Sequence, residues 1–241
     1  MALMRLDKII TSGGQWSRRE VKQMVKEGRV LLNGKPVPSP EVKCDPDTAE
    51  IWVDGERFSY STYRYVMLHK PAGLLSATED RNAETVLDLL PPELQKLELF
   101  PVGRLDKDTE GLLLMTDDGA LAHRLLSPKH HVDKVYYVRV EGHLTEEDCA
   151  AFESGLLLGD GLQCLPAKLE ILYAGQESEA LVTLREGKFH QIKRMLASLG
   201  KPVLYLKRLS MGPLKLDERL EKGEWRYLTK EETEKLCSLK K

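Results

Sequence analysis

Between Gly103 and Gly111 the chain reads Gly-Arg-Leu-Asp-Lys-Asp-Thr-Glu-Gly, and the apolar run Leu112–Met115 follows at once. A polar loop mounted on a buried strand can hold a carboxylate such as Asp106 and a guanidinium such as Arg104 at the edge of a cleft. Without further context, an Asp at such a place is a turn or cap residue. The segment also mimics a calcium loop, with Asp106, Asp108 and Glu110 alternating before Gly111 and Asp117 at the twelfth place. Pro101 and Gly103 spoil the entering helix, Leu112–Leu114 is apolar where a ligand is wanted, and the final acid is Asp rather than Glu. No metal is expected. His130, His131 and His190 read as hydrogen-bonding residues, because nothing nearby supplies the remaining ligands. Cys44, Cys149, Cys164 and Cys237 form no C-x-x-C pair and read as ordinary reduced thiols.

Charge narrows the partners. The net charge is −2, yet residues 1–35 carry eight Lys/Arg against three acids, and 181–215 carry eight against one. Residues 36–61 and 141–180 are acidic, the latter with nine acids and one lysine. Phosphate contacts need local positive charge rather than a high overall pI, so nucleic acid is a plausible partner. No apolar run approaches the roughly 18–20 residues a membrane helix needs. The N-terminus turns charged too early for a signal peptide, so a cytoplasmic location is expected.

These residues need elements to position them. Ser17 followed by Glu20 is a capping-box signal. It predicts a helix with Val21, Met24 and Val25 on one face, Arg18, Arg19, Lys22 and Lys26 on the other, and a stop at Gly28. A short helix from Arg5 to Ile10 precedes it, ending in the Gly13-Gly14 loop. Asn33-Gly34 predicts a tight hairpin over 30–37, and a further strand is expected at Ile51–Val53 before Asp54-Gly55. Residues 56–63 read as a polar linker, giving domains at 1–61 and 62–241. Strands are then expected at 65–69, 112–115, 135–140, 169–173, 180–184 and 203–206. Helices are expected at 84–90, 119–126, 146–154, 189–199 and 230–239. This is an α+β pattern without regular βαβ alternation.

Two basic helices followed by a small hairpin resemble an S4 RNA-binding domain, with Arg18, Arg19, Lys22 and Arg29 on the matching stretch. Gly103-Arg104-Leu105-Asp106-x-x-Thr109-x-Gly111-Leu112 closely resembles the signature of the pseudouridine synthases. Its continuation, Leu-Met-Thr-Asp-Asp-Gly at 114–119, resembles the RsuA-type branch, which modifies ribosomal RNA. Lys70-Pro71-Ala72-Gly73, Lys134-Val135-Tyr136 and Glu186–Met195 resemble the remaining motifs in the family's order. The resemblance implies a catalytic domain built on a mainly antiparallel sheet behind the S4 domain. It implies Asp106 as nucleophile or ribose-facing carboxylate, Tyr136 stacked on the flipped base and moving a proton, and Lys193 paired with Asp106. Arg104 would fill the vacated space or hold a phosphate.

Turning uridine into pseudouridine breaks an N-glycosidic bond, turns the base and rejoins it through carbon. There is no redox change and no external group, so no cofactor is implied. The chemistry asks for a carboxylate, a proton acceptor and a cation that keeps the carboxylate ionised. Resemblance at 114–119, His123-Arg124 and 127–131, and a C-terminus without a long basic tail, favour the small-subunit enzyme acting on 16S rRNA or an assembling small subunit, as a monomer. The alternatives are a 23S rRNA enzyme of the same branch, or a non-catalytic S4-containing RNA-binding or ribosome-assembly factor.

Overall fold

Residues 3–13, 15–58, 60 and 62–239 are described by a computed structural model. The chain forms two compact units: Met1–Tyr63 with Pro91–Glu98, and Arg64–Leu90 with Leu99–Lys241. The first unit begins with β1 (Met4–Arg5), α1 (Leu6–Thr11) and α2 (Arg18–Lys26). The end expected for α1 at Gly14 falls outside the described residues. Ser17 Oγ accepts from Glu20 N and the Glu20 carboxylate accepts from Ser17 N, so the capping box starts α2. Val21, Met24 and Val25 enter the core with Leu6, Ile9 and Ile10, leaving the α2 cations exposed.

Four short strands follow: β2 (Val30–Leu32), β3 (Lys35–Pro36), β4 (Lys43–Cys44) and β5 (Ile51–Val53), and then β6 (Glu56–Phe58). Asn33 and Gly34 both have positive φ, 51° and 77°, as a two-residue hairpin loop of this twist requires. Asp54 and Gly55, at 53° and 81°, turn the chain again into β6. Part of the stretch read as a linker is therefore an edge strand. Its polar Glu56 and Arg57 hide it, while Phe58 packs on the core and tilts against Trp16. Helix α3 (Pro92–Gln95), which the sequence reading missed, belongs to this unit.

The second unit holds β7 (Tyr65–Lys70), β8 (Phe100–Pro101), β9 (Glu110–Thr116), α4 (Gly119–Leu126), β10 (Lys134–Glu141) and α5 (Glu146–Ser154). It continues through β11 (Lys168–Tyr173), β12 (Glu177–Leu184), α6 (Gln191–Ser198), β13 (Val203–Met211), β14 (Leu214–Lys215), β15 (Trp225–Tyr227) and α7 (Lys230–Cys237). Among the described residues these strands make one sheet ordered β11-β12-β10-β13-β9-β7-β15, with β8 on β9 and β14 on β13. Only the β13–β9 pairing is parallel there, so the mainly antiparallel α+β expectation holds. The helix expected over 84–90 shrinks to a 3-10 turn at Val86–Leu89, because Pro91 and Pro92 follow it.

Strand β9 is buried throughout and is the spine of this sheet. At its start Gly111 has φ 104°, and a Cβ there would lie 2.2 Å from the Arg208 carbonyl oxygen. Glycine is thus required where the polar loop meets β13. At its other end Thr116 Oγ1 donates to Arg64 O, Asp117 receives Arg64, and Asp118 caps α4 through Leu121 N. The Thr-Asp-Asp run therefore locks the strand's exit.

Candidate active site

Residues 102–109 connect β8 to β9, and a buried ammonium holds them in shape. Lys70, fully buried at the end of β7, donates to the carbonyl oxygens of Pro71 (2.9 Å), Asp106 (3.2 Å), Lys107 (3.2 Å) and Thr109 (2.9 Å). Burial lowers its pKa to about 8, against the opposing pull of Asp108, Glu110 and Asp106. Ser76 adds a second clasp: its hydroxyl donates to Leu105 O at 2.9 Å and accepts from Leu105 N at 3.1 Å. Gly73 N donates to Lys107 O at 2.7 Å. The loop is fixed at both its middle and its exit.

Asp106 leaves this loop toward α6. Its Oδ2 lies 3.1 Å from Lys193 Nζ, and its Oδ1 lies 3.6 Å from His190 Nε2. Lys193 also bonds Asp108 Oδ1 at 2.5 Å. Burial alone would lower the Lys193 pKa, but its hydrogen bonds to Asp108 and Asp106 outweigh that and raise it. The same contact with Lys193 holds Asp108 below the usual carboxylate range. Lys193 therefore stays an ammonium shared by two carboxylates.

Arg104, Asp106, Thr109, Tyr136 and His190 line one cavity, whose apolar wall includes Leu184, Ile192 and Leu206. Tyr136 sits on β10 opposite Arg208 of β13 and is 8% exposed. The next residue, Tyr137, points to the other face and packs edge-on against Tyr205. The structure thus brings Arg104, Asp106 and Tyr136 to one cavity and puts Lys193 on Asp106. Arg18, Arg19, Lys22 and Arg29 are exposed in the other unit. Arg29 differs from the other three: its guanidinium donates to Asp54 (2.7 Å) and Glu27 (2.9 Å). It fastens the β5–β6 turn instead of standing open to a phosphate.

Other residues of the site carried no role in the sequence reading. Gln191 donates to Glu186 Oε1 at 2.7 Å and accepts from Lys188 N at 2.9 Å, while Glu186 also receives Leu165 N. This buried brace shapes the segment leading into α6. Lys70 is the other omission. A lysine ending an apolar strand immediately before Pro71 was the available signal, since a cation at such a place must find buried acceptors.

A loop-borne carboxylate in a cavity of a mixed sheet and a small unit with an exposed basic helix lie in the same chain. A family model described as RNA pseudouridylate synthase matches residues 64–198, and an S4 domain model matches residues 4–48. The chain belongs to the RNA pseudouridylate synthase family. It is 50% identical over 230 residues to an uncharacterized RNA pseudouridine synthase of Bacillus subtilis, covering 95% of this chain and 96% of that protein. It is 41% identical to the ribosomal small subunit pseudouridine synthase A of Vibrio cholerae, covering 95% and 97%. A crystal structure of a pseudouridylate synthase aligns with a TM-score of 0.67 at 39% identity, covering 97% of this chain and 99% of that one.

Proposed function

We propose that this chain converts a uridine of 16S rRNA to pseudouridine, acting as a monomer in the cytoplasm on small-subunit RNA or an assembling particle. The observation that carries this reading is Asp106, held by Lys193 in the cavity that Tyr136 lines. The small-subunit choice is supported by the relatives of that name, at about 40% identity over nearly the full length.

The target base must leave its stack before the glycosidic bond is reachable, which costs a few kcal/mol. Arg104, exposed at the cavity, fills the vacated space or holds a neighbouring phosphate. Asp106 faces the sugar or base as the reacting carboxylate, 3.1 Å from the Lys193 ammonium. The N1–C1′ bond breaks, the uracil turns against the Tyr136 ring, and a C5–C1′ bond forms. The proton leaving C5 is balanced by one gained at N1, so nothing is consumed. Tyr136, which lines the cavity, moves that proton.

Mapping pseudouridines in rRNA from cells with and without this protein tests the reading. One 16S uridine should depend on it, and purified protein should modify small-subunit particles but not 23S fragments. Conversion of a 23S site instead would retire the small-subunit choice, and no conversion in either RNA would retire the enzymatic role.

A further inference from the structure

Phe189 faces solvent beside the cavity. It is 67% exposed, and its ring lies on that of His190 with centroids 3.8 Å apart and planes 18° from parallel. His190 has φ 47°, a conformation uncommon outside glycine, and its Nε2 is 3.6 Å from Asp106. The pair is not a loose tip. The Glu186–Gln191 brace fixes the backbone on either side, and Arg194 Nη1 donates to Phe189 O at 3.4 Å. One face of Phe189 is covered by His190. A groove beside it is lined by Phe189, Leu158, Asp160 and Arg194, and the Arg194 guanidinium is paired with Asp160 at 2.5 Å.

We infer that Phe189, backed by His190, is a stacking platform for the base of a nucleotide adjacent to the target uridine. The inference rests on the function proposed above. His190 contacts Asp106 and Phe189 stands one ring further out, so the platform is offset from the reacting carboxylate by one neighbour. Lys188 is exposed beside it, in the block where eight cations face one acid, while Arg194 is engaged by Asp160. That charge suits the phosphate of the stacked nucleotide. A flat apolar ring with a cation beside it is the arrangement by which single-stranded RNA is held without reading its sequence. It also explains a large aromatic left in water next to a strained histidine.

The test uses the full chain and a 16S fragment spanning the uridine that the wild type converts. Binding is read by fluorescence anisotropy on an Asp106→Asn background, so that no turnover occurs. Three RNAs are compared: intact, abasic 5′ of the target, and abasic 3′ of it. Phe189→Ala should weaken binding of intact RNA by roughly 5- to 150-fold, the range of one base–aromatic stack. On one of the abasic RNAs the same substitution should cost almost nothing, and Phe189→Tyr should bind intact RNA like the parent. An equal loss on all three RNAs, or no loss on intact RNA with unchanged thermal unfolding, would overturn the platform. Wild-type protein that converts no uridine fails the functional reading instead, and does so before any Phe189 variant is measured.

Discussion

Replacing Lys70 by Met tests whether the buried ammonium organises the catalytic loop. Met preserves most of the stem volume but removes the donor shared by four carbonyl oxygens. Two of these keep another partner, since Asp106 O accepts from Thr109 N and Lys107 O from Gly73 N. Pro71 O and Thr109 O lose the charged donor. Two buried acceptors at about 1–3 kcal/mol each put the cost at roughly 2–6 kcal/mol. For a unit of this size that is a fall in Tm of roughly 4–24 °C. Because the loop carries Asp106, kcat should fall at least tenfold, with KM changing less, since the cations proposed to hold RNA lie on other elements. Release of tritium from C5-labelled uridine in the RNA measures turnover, and circular dichroism measures unfolding. A Lys70→Met protein with wild-type Tm and kcat would refute the clamp.

Lys70 should also impose a pH dependence. Its pKa is about 8 when folded and about 10.4 when unfolded, so the folded protein binds fewer protons between these values and this group's contribution to stability rises with pH there. The stability gap between wild type and Lys70→Met should therefore widen from pH 8 to 10, and a constant gap would show that Lys70 does not titrate in that window. Asp106→Asn should abolish tritium release while RNA affinity changes little, because phosphate contacts dominate binding; near wild-type turnover would dismiss Asp106 as the reacting carboxylate. Alanine at Arg18, Arg19 and Lys22 together should make the log–log salt dependence of RNA binding shallower by roughly 0.7–0.9 for each phosphate left without its cation. Arg29→Ala should leave that slope nearly unchanged because Asp54 and Glu27 already engage its guanidinium, and a shift matching that of the α2 cations would reverse this distinction.

Elements with a complete local signal were legible in the sequence. The Ser17–Glu20 capping box, the Asn33-Gly34 turn and the helices at 119–126 and 146–154 depend on residues close together in the chain. Strand β6 was not, because an edge strand with two polar residues carries the pattern of a linker. Strand β15 was missed for a related reason, since three residues beside a charged turn are too short for alternation to register. The site shows the same division. Motif resemblance picks out Asp106, Tyr136 and Lys193, but what fixes them comes from far along the chain. Lys70 meets Asp106 across 36 residues, and Lys193 meets Asp108 across 85.

That division bears on how a target is chosen. A flipped uridine offers the same edges wherever it comes from, so a cavity lined by Asp106, Tyr136, Leu184 and Leu206 has no means of telling one ribosomal uridine from another. Selection must come from surfaces that meet the surrounding RNA. Two such surfaces are proposed above: the exposed face of α2, and the segment leading into α6. They differ in kind. Arg18, Arg19 and Lys22 sit on a surface helix, suited to phosphates of a folded element. Phe189 and His190 sit on a rigidly braced loop within reach of Asp106, suited to a base already out of its stack. Weakening the first should lower affinity for every RNA in proportion to its phosphate contacts. Weakening the second should penalise RNAs that present a base beside the target, whichever base it is, and spare those that are abasic there.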